Sequence, residues 1–558
     1  MPPIPIQTFS VRATPQTDPI PGSGQRANSA GGYSWELDDW QRLDRFLILG
    51  CDGGTYSVQE QDLLKANYES VSRCLQADGL RVVHRLADIS ESGRAARNEA
   101  AIFVLALALA QGDPGTRKAA ATALHRVCRT GTHLLHFAAY ADALRGWGRG
   151  LRRALSDWYL NQSPDDLAYQ VVKYRQRDGW SQADVLRRAH PRTASPAHQA
   201  VLRWVAAGSN ELGLRAVTRK TGAGPQTRNY DGTPRLPALI HAFDAAKRST
   251  AEGEIVRLIE EYRLPREAIP TQWLNSRRVW AALLAQMPLT ALIRNLAKLT
   301  VLGVLAPGSD DARRVTELLR DPAQLKRARV HPFGLLLALR TYQQGHGDKG
   351  ALRWTPVPKI TEALDEAFYA SFAQVRPAGK PLLLALDVSG SMDGSTLHGS
   401  SLTAREASAA MALVTAATEP GATLMAFSDG FVPLDIKPGM RLDEVVRRIS
   451  NLPFDGTDCA LPMNWARQNA KSFGGFVIYT DSETWAGDIH PAQALRNYRR
   501  QVFGDARCVV VGMTSEGFTI ADPADRGMLD VVGFDAAAPA FIADFLRAEA
   551  HCEPVGGD

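Results

Sequence analysis

The sequence predicts a multi-domain protein, in which an all-α helical-repeat part precedes an α/β doubly wound domain. Three observations predict this fold class. The chain has 558 residues, which is too long for one ordinary hydrophobic core. From about residue 33 to 355, apolar residues recur at helical spacing between short polar joints. From about residue 380, short apolar runs alternate with helical segments, as in a parallel sheet covered on both faces.

The first 32 residues are rich in Pro, Gly, Ser, Thr and Gln, which predicts a flexible N-terminal arm. The helical part is expected to extend over residues 33–370. Within it, an apolar helix over 98–112 ends at a glycine, and Ser163 is a predicted N-cap with Pro164 after it. No strict period relates the helices, so an irregular α-solenoid is favoured over a regular repeat array.

Residues 371–558 form the predicted α/β domain. A final helix is expected over residues 535–550, and ligand sites in such sheets lie beyond the carboxyl ends of the strands. The polar residues that follow the strands are therefore candidates for chemistry. The predicted strands are PLLLALDVS, GATLMAFS, GGFVIYTDS and ARCVVVGM.

Polar side chains gather at these strand ends. The first strand ends at Asp387, with Ser389 and Ser391 at alternate positions after it, and a later strand ends at Asp481. Between them, Thr457 lies in a glycine-bearing loop before a helix. Two carboxylates and three hydroxyls are hard oxygen donors, which suit Mg²⁺ and also Mn²⁺. The alternative is a doubly wound domain with serine-rich turns and no metal.

Charge is distributed unevenly along the chain. The net charge is +5, but residues 371–558 contain 15 Lys+Arg and 23 Asp+Glu. Residues 115–195 contain 14 Lys+Arg against 6 Asp+Glu, with aromatic residues between them. This excess favours nucleic-acid binding through phosphates and stacked bases. The alternative is a solvated helix face, and Trp158 and Trp180 are expected in the core.

Other function classes are not favoured by the sequence. The six cysteines are scattered without a C-x-x-C pair, and neither a signal peptide nor a membrane span is evident, so a cytoplasmic location is expected. Ser389 has no evident His and acid partners, and a Gly-x-Ser-x-Gly elbow is absent. A metal hydrolase would need a base and carboxylate-rich ligands. We therefore expect a binding protein rather than an enzyme.

The Asp-x-Ser-x-Ser pattern of 387–391, with the Thr457 loop and the strand-end Asp481, resembles the metal-ion-dependent adhesion site of von Willebrand factor A domains. The resemblance implies that Ser389, Ser391 and Thr457 contact the metal directly. It implies that Asp387 and Asp481 act directly or through water. The sixth metal position is then left for an acidic group of a protein partner.

Three long segments resemble the TROVE module of the Ro autoantigen, telomerase-associated protein and vault-associated proteins: residues 31–60, VVKYRQRDGWSQADVLRRAHP and HPFGLLLALRTYQQGHG. TROVE followed by an A domain is the architecture of the Ro family, here of its bacterial members. The resemblance implies HEAT-like repeats closed into a ring. It implies Y RNA binding on the outer face and binding of single-stranded 3′ ends of misfolded RNA in the central hole. It also implies an exoribonuclease partner, polynucleotide phosphorylase, tethered by Y RNA.

Carried over by position, Lys173, Arg177 and His190 match the family's Y RNA contacts. Arg129 and His133 are weaker candidates for the same basic surface or the hole. The alternative for His190 is a helix-end residue before a proline. We therefore expect a monomeric RNA-binding scaffold for RNA quality control and stress survival. The alternatives are a metal-dependent adhesion module with a helical scaffold, and a Mg²⁺-dependent enzyme that acts on RNA.

Overall fold

The computed structural model describes residues 13–52, 54–55, 58–207, 236–347, 350–372, 375–419, 421–436, 440–450, 452 and 456–547. They group into two compact units. The sheet unit contains the described residues of 1–71, 94–96 and 368–558. The helical unit contains those of 72–93 and 97–367.

The described residues up to 370 are mostly helical, as predicted. Gly112 ends the helix predicted over 98–112, and Ser163 Oγ accepts a hydrogen bond from the Asp166 amide at 3.1 Å, as an N-cap does. The short strands are β1 (Arg26–Ala27), β2 (Tyr33–Glu36), β3 (Gln176–Arg177) and β4 (Trp180–Ser181). The helices are α1 (Asp39–Leu49), α2 (Glu60–Ser92), α3 (Glu99–Gln111), α4 (Pro114–Val127), α5 (Gly131–Leu144), α6 (Arg149–Leu160), α7 (Pro164–Lys173), α8 (Gln182–Ala189), α9 (Pro196–Ala207), α10 (Ala238–Arg248), α11 (Glu252–Tyr262), α12 (Arg277–Leu284), α13 (Leu289–Val301), α14 (Asp310–Arg320), α15 (Pro322–Arg327), α16 (Pro332–Gln344) and α17 (Pro358–Ala370).

The described residues after 370 alternate between strands and helices. The strands are β5 (Leu382–Asp387), β6 (Thr423–Phe427), β7 (Phe431–Pro433), β8 (Gly475–Thr480), β9 (Arg507–Gly512), β10 (Phe518–Thr519) and β11 (Met528–Val532). The helices are α18 (Gly390–Gly394), α19 (Ala404–Thr418), α20 (Leu442–Ser450), α21 (Leu461–Gln468), α22 (Pro491–Gln501) and α23 (Ala538–Arg547). Residues 548–550 of the predicted last helix lie outside the described residues.

A six-stranded sheet has the order β11-β9-β8-β5-β6-β7. The four predicted strands are confirmed as its parallel centre, β9, β8, β5 and β6. The sequence prediction missed both edges, parallel β11 and antiparallel β7. These edge strands are less uniformly apolar than the buried centre, so they lack the continuous apolar run that identified the others.

The N-terminal prediction needs a correction, because residues 13–32 do not form a free arm. β1 pairs with β2, and β2 pairs with β10, in a separate three-stranded sheet of the sheet unit. The buried Gln16 Nε2 donates to Asp458 Oδ1 at 2.7 Å and to the Ile489 carbonyl at 2.8 Å. Composition predicted flexibility, but the polar groups of this segment find partners on loops that are distant in sequence. Residues 1–12 lie outside the described residues.

Helix α1 is anchored to the sheet through a buried arginine. Arg45 is fully buried, and its Nη2 lies 2.6 Å from Asp530 Oδ2 of β11. Its Nη1 donates to the carbonyl oxygens of Glu516 and Phe518 at 3.1 and 3.2 Å. Residues 33–49 therefore belong structurally with the C-terminal sheet, although the sequence grouped them with the helical part. Every helix in the described part of the chain is too short or too polar to span a lipid bilayer.

Candidate metal site and candidate nucleic-acid interface

The strand-end carboxylates lie at one edge of the sheet. Asp387 is the last residue of β5, and Asp481 follows the last residue of β8. β5 and β8 are neighbouring parallel strands in which Leu386 lies opposite Tyr479. The sheet topology therefore places both predicted carboxylates at the carboxyl edge of adjacent strands.

Hydrogen bonds hold the Asp-x-Ser-x-Ser turn in place. Asp387 Oδ1 accepts from the Ser389 amide at 3.0 Å, and Oδ2 accepts from Thr480 Oγ1 at 2.6 Å. The hydroxyl oxygens of Ser389 and Ser391 lie 3.1 Å apart, and Ser391 also hydrogen-bonds to Asp481. The two serines and two carboxylates thus form one connected polar cluster.

The Thr457 loop is held against the segment that follows Asp481. The Thr457 carbonyl accepts hydrogen bonds from the amides of Trp485 and Ala486, both at 3.0 Å, and from Thr484 Oγ1 at 3.2 Å. Thr457 itself is buried. Its loop and the Asp481 loop therefore form one packed assembly, and Thr457 stays a predicted fifth oxygen donor.

The electrostatics of this cluster fit a divalent cation. Burial raises the pKa of Asp387. Burial, followed by the negative charges of Asp387 and Glu516, raises the pKa of Asp481 to about 8. Buried carboxylates that repel each other are stabilised when a cation lies between them, and the remaining donors are hydroxyl oxygens. Among the described residues, no three His, Cys, Asp or Glu side chains are grouped to hold a metal, so the candidate donor set is mixed carboxylate and hydroxyl.

Sequence reasoning missed three charged residues beside this cluster. Arg405 of α19 is buried, pairs with Asp393 at 3.0 Å, and its charge favours the ionised form of Asp387. Glu483 and Glu516 are buried, and burial together with the Glu516 carboxyl raises the pKa of Glu483 to about 10. Glu516 follows β9, which neighbours β8, so only the strand order brings it here.

In the helical unit, Arg177 is presented on a tight hairpin. β3 and β4 pair antiparallel with Arg177 opposite Trp180, and the turn residues Asp178 and Gly179 have φ of 51° and 75°. The Asp178 carboxylate pairs with the buried His136 of α5, which fixes the hairpin on the helices. Arg177 remains exposed, at 58% of its side-chain area, and its Nε lies 3.7 Å from Asp178 Oδ1 in a partly exposed ion pair.

Lys173 lies at the end of α7, between two tyrosines. Its Nζ donates to the Tyr169 hydroxyl at 3.1 Å and lies 5.2 Å from the ring centroids of Tyr169 and Tyr174. Burial opposes the charged form, but the hydrogen bond to Tyr169 and the neighbouring phenols raise the pKa of Lys173 overall. Lys173 is therefore a positioned cation with aromatic neighbours.

His190 is the C-cap of α8 in the left-handed conformation, with φ of 50° and ψ of 54°. Its side chain is exposed, so His190 can end the helix and also be open to contact with a ligand. The eight residues of α8 span about 12 Å, so the hairpin and His190 lie at opposite ends of this helix. The structure thus distributes these candidates along a surface and does not gather them in one pocket.

Arg129 lies in the turn between α4 and α5, and His133 is the third residue of α5. This turn packs on the segment after Lys173, because a Cβ at Gly131 would lie 2.8 Å from both Gln182 Nε2 and Tyr174 Cβ. The half-buried Arg129 donates to Ser90 Oγ at 2.9 Å and to the Arg126 carbonyl at 2.8 Å. Burial and the charge of Arg129 lower the pKa of His133 to about 4. Both residues have internal contacts, so they are less available than Arg177.

The two tryptophans have different environments. Trp158 is buried, as expected, and its Nε1 donates to the Cys128 carbonyl. Trp180 is only half-buried, and it stacks on Trp147 with ring centroids 5.4 Å apart and 28° between planes. The Arg188 guanidinium lies 4.8 Å from the Trp180 ring centroid. The prediction that Trp180 lies in the core was wrong, because the hairpin carries this residue to the surface. The sequence pattern did not identify its partner Trp147.

Comparisons with known proteins agree with this two-part organisation. The TROVE domain family matches residues 26–341, and the Ro60 vWA domain family matches residues 381–546. The chain is 43% identical to "RNA-binding protein RO60" of Deinococcus radiodurans over 96% of this chain and 97% of that protein. It is 36% identical to "RNA-binding protein RO60" of Caenorhabditis elegans, over 94% and 90% respectively. The crystal structure of Deinococcus radiodurans RO (RSR) protein matches with a TM-score of 0.67 and 41% identity, over 91% of this chain and 99% of that one.

Proposed function

Since this chain belongs to the Ro60 family of RNA-binding proteins, we propose that it is a non-enzymatic RNA-binding scaffold for RNA quality control. Its helical unit would bind a small noncoding Y RNA and single-stranded 3′ ends of misfolded RNA. An exoribonuclease such as polynucleotide phosphorylase would then degrade RNA that the scaffold gathers. A role in stress survival, a monomeric state and a cytoplasmic location complete this proposal.

The observation that carries the proposal is the exposed cationic surface along the hairpin and α8. Arg177 projects from the hairpin turn, and Arg187 and Arg188 are exposed in the last turn of α8, before His190. Guanidinium groups bind phosphate oxygens and stack on bases, and the half-buried Trp180 adds an aromatic surface beside them. This surface combines charge with stacking groups, as RNA-binding surfaces do.

The test is RNA binding by a Lys173→Ala/Arg177→Ala variant of the full chain. We expect a loss of about 1–3 kcal/mol for each cation that contacts RNA, together with a smaller dependence of affinity on salt. The matched control is Arg277→Ala/Arg278→Ala, which removes two exposed arginines from the first turn of α12. Equal affinity and equal salt dependence for the wild type and the Lys173/Arg177 variant would show that the site assignment is wrong.

We propose a second function for the strand-end cluster, on the strength of its two buried, mutually repelling carboxylates. Asp387, Ser389, Ser391, Thr457 and Asp481 would hold Mg²⁺ or, as an alternative, Mn²⁺. The bound ion would supply a positive charge that attracts a carboxylate of an acidic protein partner. The charge of Arg405 partly offsets that of Asp387. Capture of a protein that EDTA abolishes and ribonuclease leaves intact would support this adhesion function.

A further inference from the structure

A cleft of about 650 Å³ lies among α3, α4, α5 and α6 of the helical unit. Its floor is apolar and includes Leu109, Ala121 and Leu151. Asp157 is its one acidic lining residue among those described. Its basic lining residues are Arg117, Lys118, Arg145, Arg149 and Arg153.

Most of these cations are available to a ligand. Lys118, Arg149 and Arg153 are exposed, and the Arg153–Asp157 pair, with atoms 4.0 Å apart and both side chains exposed, is a weak one. Arg117 Nε is buried without a hydrogen-bond partner among the described residues. Arg145 is different, because it donates to the carbonyls of Leu109 and Ala110 and so closes the end of α3.

The N-terminus of α6 adds a second attraction for anions. This helix has 12 residues, and its N-cap is Gly148, which supplies no side-chain hydrogen bond to the first-turn amides. Open space surrounds Gly148 and Gly150, since a Cβ at either position would meet no atom within 4 Å. Free amides and the helix dipole favour a phosphate group there, with Arg149 and Arg153 on the same turn.

The cleft is continuous with the surface described above. Arg145, Gly146 and Gly148 line the cleft, and the same loop carries Trp147, which stacks on Trp180 of the hairpin. Trp180 pairs with Arg177 across that hairpin. A strand whose phosphates contact Arg177 therefore has a stacking surface on its way to the cleft.

We propose that this cleft binds one nucleotide of single-stranded RNA. The phosphate lies against Arg149, Arg153 and the α6 N-terminus, and the base lies on the apolar floor. A cleft of this size accommodates a ligand of nucleotide dimensions, while a paired base must first lose its pairing and stacking to enter it, which costs free energy. This inference rests on the proposed RNA-binding function, and it names the chemical form of the RNA that this surface selects.

The test compares the full chain with an Arg149→Ala/Arg153→Ala variant. Fluorescence anisotropy is measured with a labelled single-stranded oligouridine and with a blunt-ended RNA duplex, over a range of salt concentrations. We expect about tenfold weaker binding of the single strand, and a salt slope smaller by about 0.7, because the variant loses one phosphate contact and each single-strand phosphate contributes about 0.7. Binding of the duplex should not change in this variant, and Arg277→Ala/Arg278→Ala should bind the single strand as the wild type does. Both replaced arginines are exposed, so the variant should melt at the wild-type temperature.

The outcomes separate the two proposals. If the wild type binds neither RNA, the proposed function fails and this inference fails with it. If the wild type binds both RNAs and the Arg149/Arg153 variant matches it in affinity and salt slope, the inference alone is overturned. Uridine monophosphate that binds as tightly as the oligouridine, and loses affinity in the variant, would overturn the RNA assignment in favour of a free nucleotide.

Discussion

The replacement Gly32→Ala tests whether the N-terminal segment supports the loop after Asp481. Residues 28–34 cross this loop closely. Asn28 Nδ2 donates to the Thr484 carbonyl at 2.9 Å, the Ala30 amide to Glu483 Oε2 at 2.7 Å, and Ser34 Oγ to the Ser482 carbonyl at 3.2 Å. A Cβ on Gly32 would lie 1.9 Å from the Thr484 carbonyl oxygen, which leaves no room for a methyl group.

The size of the effect follows from what the methyl group meets. The obstructing atoms are backbone atoms of Thr484 and Trp485, which cannot move away as a flexible side chain would. Overpacking of this kind costs about 1–3 kcal/mol, which lowers the melting temperature of a unit of this size by about 2–12 °C. Because Thr484 also holds Thr457, the same displacement should weaken Mg²⁺ binding at the proposed site.

Differential scanning calorimetry of the full chain, with and without Mg²⁺, measures both effects. Gly24→Ala is the matched control, because a Cβ at Gly24 meets no atom within 4 Å and its φ is ordinary. The control should melt as the wild type does. A Gly32→Ala variant with the stability of the Gly24→Ala variant would refute the role given to the N-terminal segment. Lower stability with unchanged Mg²⁺ affinity would refute only its coupling to the metal site.

Three further predictions concern other parts of the chain. Mg²⁺ at 100 times its Kd should raise the unfolding free energy of the wild type by about 2.7 kcal/mol, but should not raise that of Asp387→Asn. The control is Asp505→Asn, which changes an exposed residue before β9 and should respond to Mg²⁺ as the wild type does. An equal response of Asp387→Asn and the wild type would exclude this site. Because the pKa of His133 is lowered to about 4, the unfolded state binds more protons than the folded state below pH 6.5. Urea denaturation should therefore show that the wild type loses at most about 3 kcal/mol of stability as pH falls from about 6.5 to 4, and that His133→Gln loses less. Identical pH profiles for the two proteins would contradict this prediction. Arg45→Met should destabilise the sheet unit by about 3–5 kcal/mol, because Asp530 is left buried without its partner. Adding Asp530→Leu should recover much of this lost stability. If the double variant recovers none of it, loss of the ion pair is not the cause.

The local patterns of the sequence determined the units of structure. The unbroken apolar runs of β5, β6, β8 and β9 identified a buried parallel sheet, since only strands covered on both faces are apolar throughout. Helix-ending Gly112 and N-cap Ser163 acted through bonds within a few residues of themselves. The placement of Asp387 and Asp481 at the same edge of the sheet was also predictable, because strand-end residues of a parallel sheet share one edge.

Tertiary structure decided everything that depends on contacts between distant residues. Gln16 belongs to the sheet unit because its amide reaches Asp458, and no local pattern encodes a partner that lies 442 residues away. Glu516 reaches the strand-end cluster only because β9 neighbours β8. Trp147 and Trp180 stack because a hairpin and a helix joint meet, although the sequence predicted a core position for Trp180 and singled out no role for Trp147. Periodicity reports which face of an element is buried, whereas the partner on that face is set by the packing of the whole chain.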